Sequence, residues 1–304
     1  MTNSWGPLDG KEFERLSQTW TPHAFETFCQ SLIVSEMPRD CVTLPTMSGR
    51  PNCADGGLDA ECLYDGEQPL GKLVSPGLNL YEVKWRDPYQ RDKGLKELKR
   101  LLSGKAIQSL QGRGAGAVHL RVFLNLNLTH SQRASLLKSI LNDCPLERVV
   151  VEVIDAGLLA VLLNQHVVLR AMYRPASGLI DFQAWRSSMA RGTHCPSLQF
   201  VGRDCQLEAL QQFFVDPTLR VVHLFGAPGI GKTRTVLQAL EGASKWVVER
   251  TAFVEDPTRL GPGEWQQLRE AAHPFWLVAE NVDEERASEL AQRVAETRFG
   301  QLVI

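Results

Sequence analysis

Gly226-Ala227-Pro228-Gly229-Ile230-Gly231-Lys232-Thr233 fits the spacing G-x-x-x-x-G-K-[ST] at every fixed position. The flanks fit as well. Val221 to Phe225 is a short apolar run that reads as a buried strand, and Thr233 to Leu240 reads as the helix into which the loop opens. Glycines at these positions let backbone N–H groups turn inward on an anion, at a helix N-terminus whose dipole favours negative charge. The stretch therefore predicts a phosphate cradle for a nucleotide. Lys232 is expected to reach the β- and γ-phosphates, and the Thr233 hydroxyl to hold Mg²⁺.

Working outward, 304 residues favour about two domains. A net charge of −2 gives no global nucleic-acid signature, so any DNA contact must come from a local patch. No run reads as a transmembrane segment or signal peptide, and no membrane partner is expected. The seven cysteines (29, 41, 53, 62, 144, 195, 205) form no C-x-x-C pair and are odd in number. That favours reduced thiols and a cytoplasmic location over a disulfide framework or a zinc site.

The chain ahead of the loop opens with helical spacing. Phe13, Leu16 and Trp20, then Phe25, Phe28, Cys29 and Leu32, lie on helix faces, with Thr21-Pro22 as a cap between two segments. Asp55-Gly56-Gly57-Leu58-Asp59 leads into a strand ending near Tyr64. Leu78 to Trp85 alternates like a second strand, so Glu82 and Lys84 share a face. Two carboxylates and an ammonium brought together this way suit phosphodiester hydrolysis. Asp59 and Glu82 are expected to bind a partly hydrated Mg²⁺, and Lys84 to position the attacking water and offset developing charge. Alone, Glu-x-Lys is often no more than an ion pair on an exposed strand. Asp55 is a rival to Asp59. From Lys84 to Lys105 cations outnumber acids, which suits either a DNA groove edge or a solvated helix face.

Gly56-Gly57-Leu58-Asp59 followed by Glu82-Val83-Lys84 resembles the PD-(D/E)xK nuclease core, in its Mrr-like restriction-endonuclease branch. The resemblance runs from about residue 10 to 175. It covers a helix at 94–110, a strand at 118–126, a helix at 129–142, a strand at 148–154 and a closing helical stretch to Tyr173. It favours Asp59 over Asp55. It also implies an accessory acid at Glu26 on the first helices and a secondary polar residue at Gln108.

Residues 176–198 read as a linker carrying a short helix around Phe182 to Met189. Val201-Gly202-Arg203-Asp204, some 20 residues ahead of the phosphate loop, is similar to an element of AAA+-like and STAND-type NTPases. That resemblance places Val201 and Arg203 at the border of the nucleotide. Trp246 to Arg250 reads as a second strand and Glu264 to Ala272 as a helix. Phe275 to Asp283 reads as an apolar strand ending in acids, with Glu280 in the Mg²⁺-binding position and Asn281 after it. With no acid directly beside Glu280, slow, switch-like turnover fits better than a motor. Gly300 to Ile304 reads as the start of another core strand, and the chain is expected to be the N-terminal portion of a longer protein or a truncated product.

The expected fold is therefore α/β. A restriction-endonuclease-like domain (1–175) precedes an incomplete parallel-sheet P-loop domain (199–304). The combination resembles the antiviral STAND (Avs) family of bacteria. By that resemblance a C-terminal sensor recognises a phage protein, the NTPase module assembles a homo-oligomer with ATP, and the nuclease cuts double-stranded DNA. Two other readings remain open, a non-cleaving regulator with an NTP switch and an NTP-dependent restriction endonuclease.

Overall fold

The computed structural model describes residues 7–37, 46–47, 59–86, 117–143, 149–173, 178–191, 201–271 and 273–304. The protein is mixed α/β and divides into two compact units, Pro7–Asn164 and Gln165–Ile304.

The first unit opens with α1 (Gly10–Ser17) and α2 (Pro22–Glu36). Asp9 caps α1 in a box with Glu12. Thr21 caps α2 through the Ala24 N–H, and Pro22 fills the first turn, where its missing donor costs nothing. Phe13, Trp20, Phe25 and Phe28 pack their rings within 6.4 Å centroid to centroid and join the two helices.

A five-stranded sheet follows in the order β1-β2-β3-β4-β5. It comprises β1 (Thr46–Met47), β2 (Ala60–Tyr64), β3 (Gly77–Lys84), β4 (Val118–Leu124) and β5 (Val149–Ile154). The first two pairings are antiparallel and the last two parallel. Alternation on β3 and β4 sends Leu78, Leu80, Val118, Leu120, Val122 and Leu124 to one face. There α3 (His130–Asp143) covers them with Leu136 and Ile140. Helix α4 (Ala156–Gln165) closes the unit, and the fully buried Asp155 caps it through the Leu158 N–H.

The second unit is built on an all-parallel sheet in the order β6-β9-β8-β7, from β6 (Val221–Val222), β7 (Thr251–Val254), β8 (Phe275–Ala279) and β9 (Gly300–Val303). Its helices are α5 (Val167–Met172), α6 (Phe182–Arg191), α7 (Asp204–Val215), α8 (Lys232–Glu241), α9 (Lys245–Val248), α10 (Pro262–Arg269) and α11 (Glu284–Ala295). Strands β7 and β8 are buried along their whole length, as a parallel sheet covered on both faces requires. One face packs Ala252, Leu277 and Leu302 against α5, α10 and α11. On the other, Trp276 meets Phe214 of α7 and Trp246 of α9 edge-on.

Three expectations need correction here. Helix α5, read with the first domain, packs in the second unit, where Val168 and Ala171 join Trp265 and Leu268 in the core. The short helix expected within the linker forms as α6, but it is no mere connector: its fully buried Trp185 stacks on Phe253 at 4.2 Å. Trp246 to Arg250 is not a strand. Ser244 caps α9 there, and the strand begins at Thr251. A short apolar run does not distinguish the two periods, and the cap decides it.

No described helix is long and apolar enough to cross a membrane.

Candidate functional site

In the first unit the residues singled out by sequence meet at the end of β3. The Asp59 N–H donates to the Tyr81 carbonyl at 2.9 Å, and Asp59 Oδ2 accepts from the Val83 N–H at 2.6 Å. These two bonds bracket Glu82, so the antiparallel β2–β3 pairing is what sets Asp59 beside it. Lys84 Nζ lies 2.9 Å from Glu82 Oε1. Glu82 Oε2 is buried and has no hydrogen-bond partner. Burial pushes the Glu82 carboxyl above the usual range. Lys84 pulls it back, Asp59 pushes it up further, and Arg86 lowers it.

Helix α2 brings Glu26 to the same neighbourhood. Glu26 is buried and accepts from Gln30 Nε2 at 3.2 Å. One turn on, the fully buried Cys29 has its thiol pushed up by desolvation and then by the charges of Asp59 and Glu26. Both carboxylates therefore act on one sulfur, and Glu26 is no solvated helix residue. Sequence reasoning missed Cys29, although its i+3 spacing from Glu26 was visible. It also missed Asn125, which stands just beyond β4 and holds the main chain of Arg86. Gln108, Asp55, the glycines before Asp59 and most of the basic stretch lie outside the described residues.

Among the described residues no group of three or more His, Cys, Asp or Glu is arranged to hold a metal. The residues present fit a hard cation differently. An orphaned, buried carboxylate oxygen beside a second carboxylate suits Mg²⁺, which keeps several waters and takes one or two protein carboxylates.

In the second unit the stretch from Gly226 opens into α8, as expected, but the run read as a buried strand to Phe225 is a strand only at the half-buried Val221–Val222, and Phe225 is exposed. Gly226, Gly229 and Gly231 have φ of 152°, 79° and 95°, and Gly231 is the N-cap of α8. A Cβ built at Gly229 or Gly231 would touch nothing, so backbone conformation and not crowding calls for glycine there. Lys232 Nζ donates to the Gly226 carbonyl at 2.7 Å and to the Ala227 carbonyl at 3.3 Å. The Ile230 N–H donates back to the Ala227 carbonyl, which closes the turn over Pro228. Arg203 Nη2 donates to the Ile230 carbonyl and ties the loop to the start of α7. Val201, Phe225 and Ile230 stand exposed around it. Thr233 lies in the first turn of α8.

Strand β9 intervenes between β6 and β8, so the crevice at their carboxyl ends is a topological switch point. Glu280 directly follows β8 at this same end of the sheet, and its Oε1 is buried without a hydrogen-bond partner. Asn281 takes φ of 54°, a conformation that asparagine tolerates, and its Nδ2 donates to the Glu255 carbonyl at 3.4 Å. Asp283 caps α11 through the Arg286 N–H. The loop glycines, Lys232, Thr233 and the orphaned Glu280 oxygen fit a Mg²⁺-bound nucleoside triphosphate.

No family model matches the sequence, and a search of curated proteins finds no match.

Proposed function

We propose that the protein is a divalent-metal-dependent DNA endonuclease governed by an ATP-binding unit. The observation that carries this reading is the pairing of Asp59 with a Glu82 carboxylate whose second oxygen is buried without a partner, beside Lys84. Asp59 and Glu82 hold Mg²⁺, with Glu26 behind them. When bound, the ion supplies an activated water and offsets charge on the phosphate. Lys84 stands over Glu82, where it orients that water and neutralises developing charge. The basic run from Lys84 to Lys105 grips the duplex backbone. In the second unit Lys232, which bonds the Gly226 and Ala227 carbonyls, would hold the phosphates of the nucleotide. Val201 and Arg203 would border the nucleotide, and Thr233 and Glu280 would hold its Mg²⁺.

The resemblance to antiviral STAND proteins supports a defensive role against phage. In that role nucleotide-bound units assemble into a homo-oligomer after a phage protein is sensed, and the location is cytoplasmic. Activity that waits for assembly protects the host's own DNA.

The test is cleavage of supercoiled plasmid by the whole chain with Mg²⁺ or Mn²⁺, with and without ATP, beside Lys84→Ala. Metal-dependent cutting that Lys84→Ala abolishes is the expected result. A protein that binds duplex yet leaves it uncut under every metal, with and without ATP and when tethered as a tandem dimer, contradicts the proposal. That outcome favours a non-cleaving regulator.

A further inference from the structure

We propose that Arg86 is a further catalytic residue of this hydrolytic site, with a guanidinium set to engage the scissile phosphate, and that Asn125 is the positioning residue that sets it there. The proposal rests on the hydrolytic reading above. The β3–β4 ladder ends at the pair Lys84 and Leu124. One residue further, Asn125 is fully buried, and both ends of its amide go to a single main chain. Its Oδ1 accepts from the Arg86 N–H at 2.8 Å, and its Nδ2 donates to the Arg86 carbonyl at 2.8 Å. A side chain thus continues the ladder where the strand backbone has stopped.

The consequence is directional. With both main-chain groups of Arg86 paired as in a ladder, the alternation of β3 puts residue 86, two beyond Lys84, on the face of Glu82 and Lys84. The segment is anchored once more, and the Arg86 side chain bonds back onto it. Trp85 Nε1 donates to the Ser17 carbonyl at 3.3 Å, and Arg86 Nη1 donates to the Trp85 carbonyl at 2.9 Å.

Neutralising Glu82 alone does not account for this. Lys84 already stands 2.9 Å from that carboxylate. A buried amide is costly unless satisfied, and here its capacity goes to fixing one arginine's main chain.

In the reaction, the water oxygen bonds phosphorus while the bond from phosphorus to one sugar oxygen breaks. The water gives up one proton, the departing oxygen takes one, and negative charge builds on the non-bridging oxygens. A planar guanidinium presents paired N–H groups to such oxygens and stays charged throughout. Lys84 serves the water side and Arg86 the phosphate side.

The test compares wild type, Arg86→Ala, Arg86→Lys and Asn125→Ala as whole chains. Steady-state cleavage of a labelled duplex is measured with Mn²⁺, and duplex affinity is measured without divalent metal. Arg86→Ala is expected to lower kcat about 10²-fold. KM and duplex affinity stay within about 3-fold, since phosphate contacts elsewhere hold the duplex. Arg86→Lys recovers part of kcat. Asn125→Ala lowers kcat about 10-fold, as loss of an outer support does. Should Asn125→Ala not fold, Asn125→Asp keeps the acceptor, drops the donor and must show the same kcat loss. Arg86→Ala that cuts at the wild-type rate, or that loses only affinity, overturns the assignment of Arg86. An Asn125 variant that folds and cuts as wild type overturns the positioning half. A wild type that never cuts defeats the hydrolytic reading itself, whereas a cutting wild type with an equally fast Arg86→Ala defeats only this assignment.

Discussion

Replacing Lys84 with alanine should do more than stop catalysis. It should destabilise the first unit in a way that depends on pH and on divalent metal. Lys84 Nζ and Glu82 Oε1 are 2.9 Å apart, with the carboxylate 3% and the lysine 19% exposed. At an effective dielectric of about 20 the gross attraction at that distance is roughly 6 kcal/mol. Water reaching Lys84 and the entropy of holding its side chain reduce the net loss to about 2–4 kcal/mol, as when one partner of a buried pair is removed. For a unit of this size that lowers Tm by roughly 5–12 °C.

The sign with pH follows from Glu82. Its folded carboxyl already titrates above the usual range, and Lys84 supplies the two largest opposing effects, so the alanine variant raises it further. A carboxyl raised on folding leaves the folded state richer in protons. Stability then falls as pH rises through the window between the ordinary carboxylate pKa and the folded one. The deficit against wild type should be small near pH 4 and full at neutral pH. Mn²⁺ or Mg²⁺ should recover part of it at neutral pH by replacing the lost cation. Urea denaturation followed across pH, with and without metal, measures this. A deficit equal at every pH and indifferent to metal would refute the electrostatic account of Glu82.

Two further outcomes are expected. Lys232→Ala should weaken ATP binding at least about 10-fold by titration calorimetry and leave Tm unchanged within a few degrees. The bonds it loses are the exposed ones to the Gly226 and Ala227 carbonyls, which contribute little to folding. Arg220 Nη2 donates to the Val294 and Thr297 carbonyls at the end of α11, at 2.9 and 2.8 Å. Arg220→Ala should therefore cost about 1–3 kcal/mol in the second unit by chemical denaturation.

How far the sequence could be read depended on the range of the contacts involved. The glycine turn from Gly226 to Thr233 and the helix it opens were legible because their requirements are local. Three glycines with positive φ, a lysine and a threonine act within eight residues, and the structure keeps them together. Glu82 and Lys84 were legible through strand alternation. That Asp59 joins them depends on pairing between β2 and β3, which the succession of two strands suggested, and the resemblance favoured Asp59 over Asp55. Helix α5 was read with the first domain and α6 as part of a linker because their apolar faces do not say which core they enter. Val168 and Trp185 are explained only by Trp265 and Phe253, far along the chain. The placement of β9 between β6 and β8 is likewise a long-range fact. Asn125 was invisible, since its role is to bond the main chain of a residue 39 positions away.

The most direct test of the central claim is calorimetric titration of Mn²⁺ onto the whole chain without nucleotide, beside Glu82→Gln. Glu82 keeps its size in that variant but loses its charge, and its buried Oε2 is the atom on which the metal reading turns. The account predicts one binding event in wild type that Glu82→Gln removes or weakens at least about 10-fold. Identical isotherms for the two proteins would contradict it.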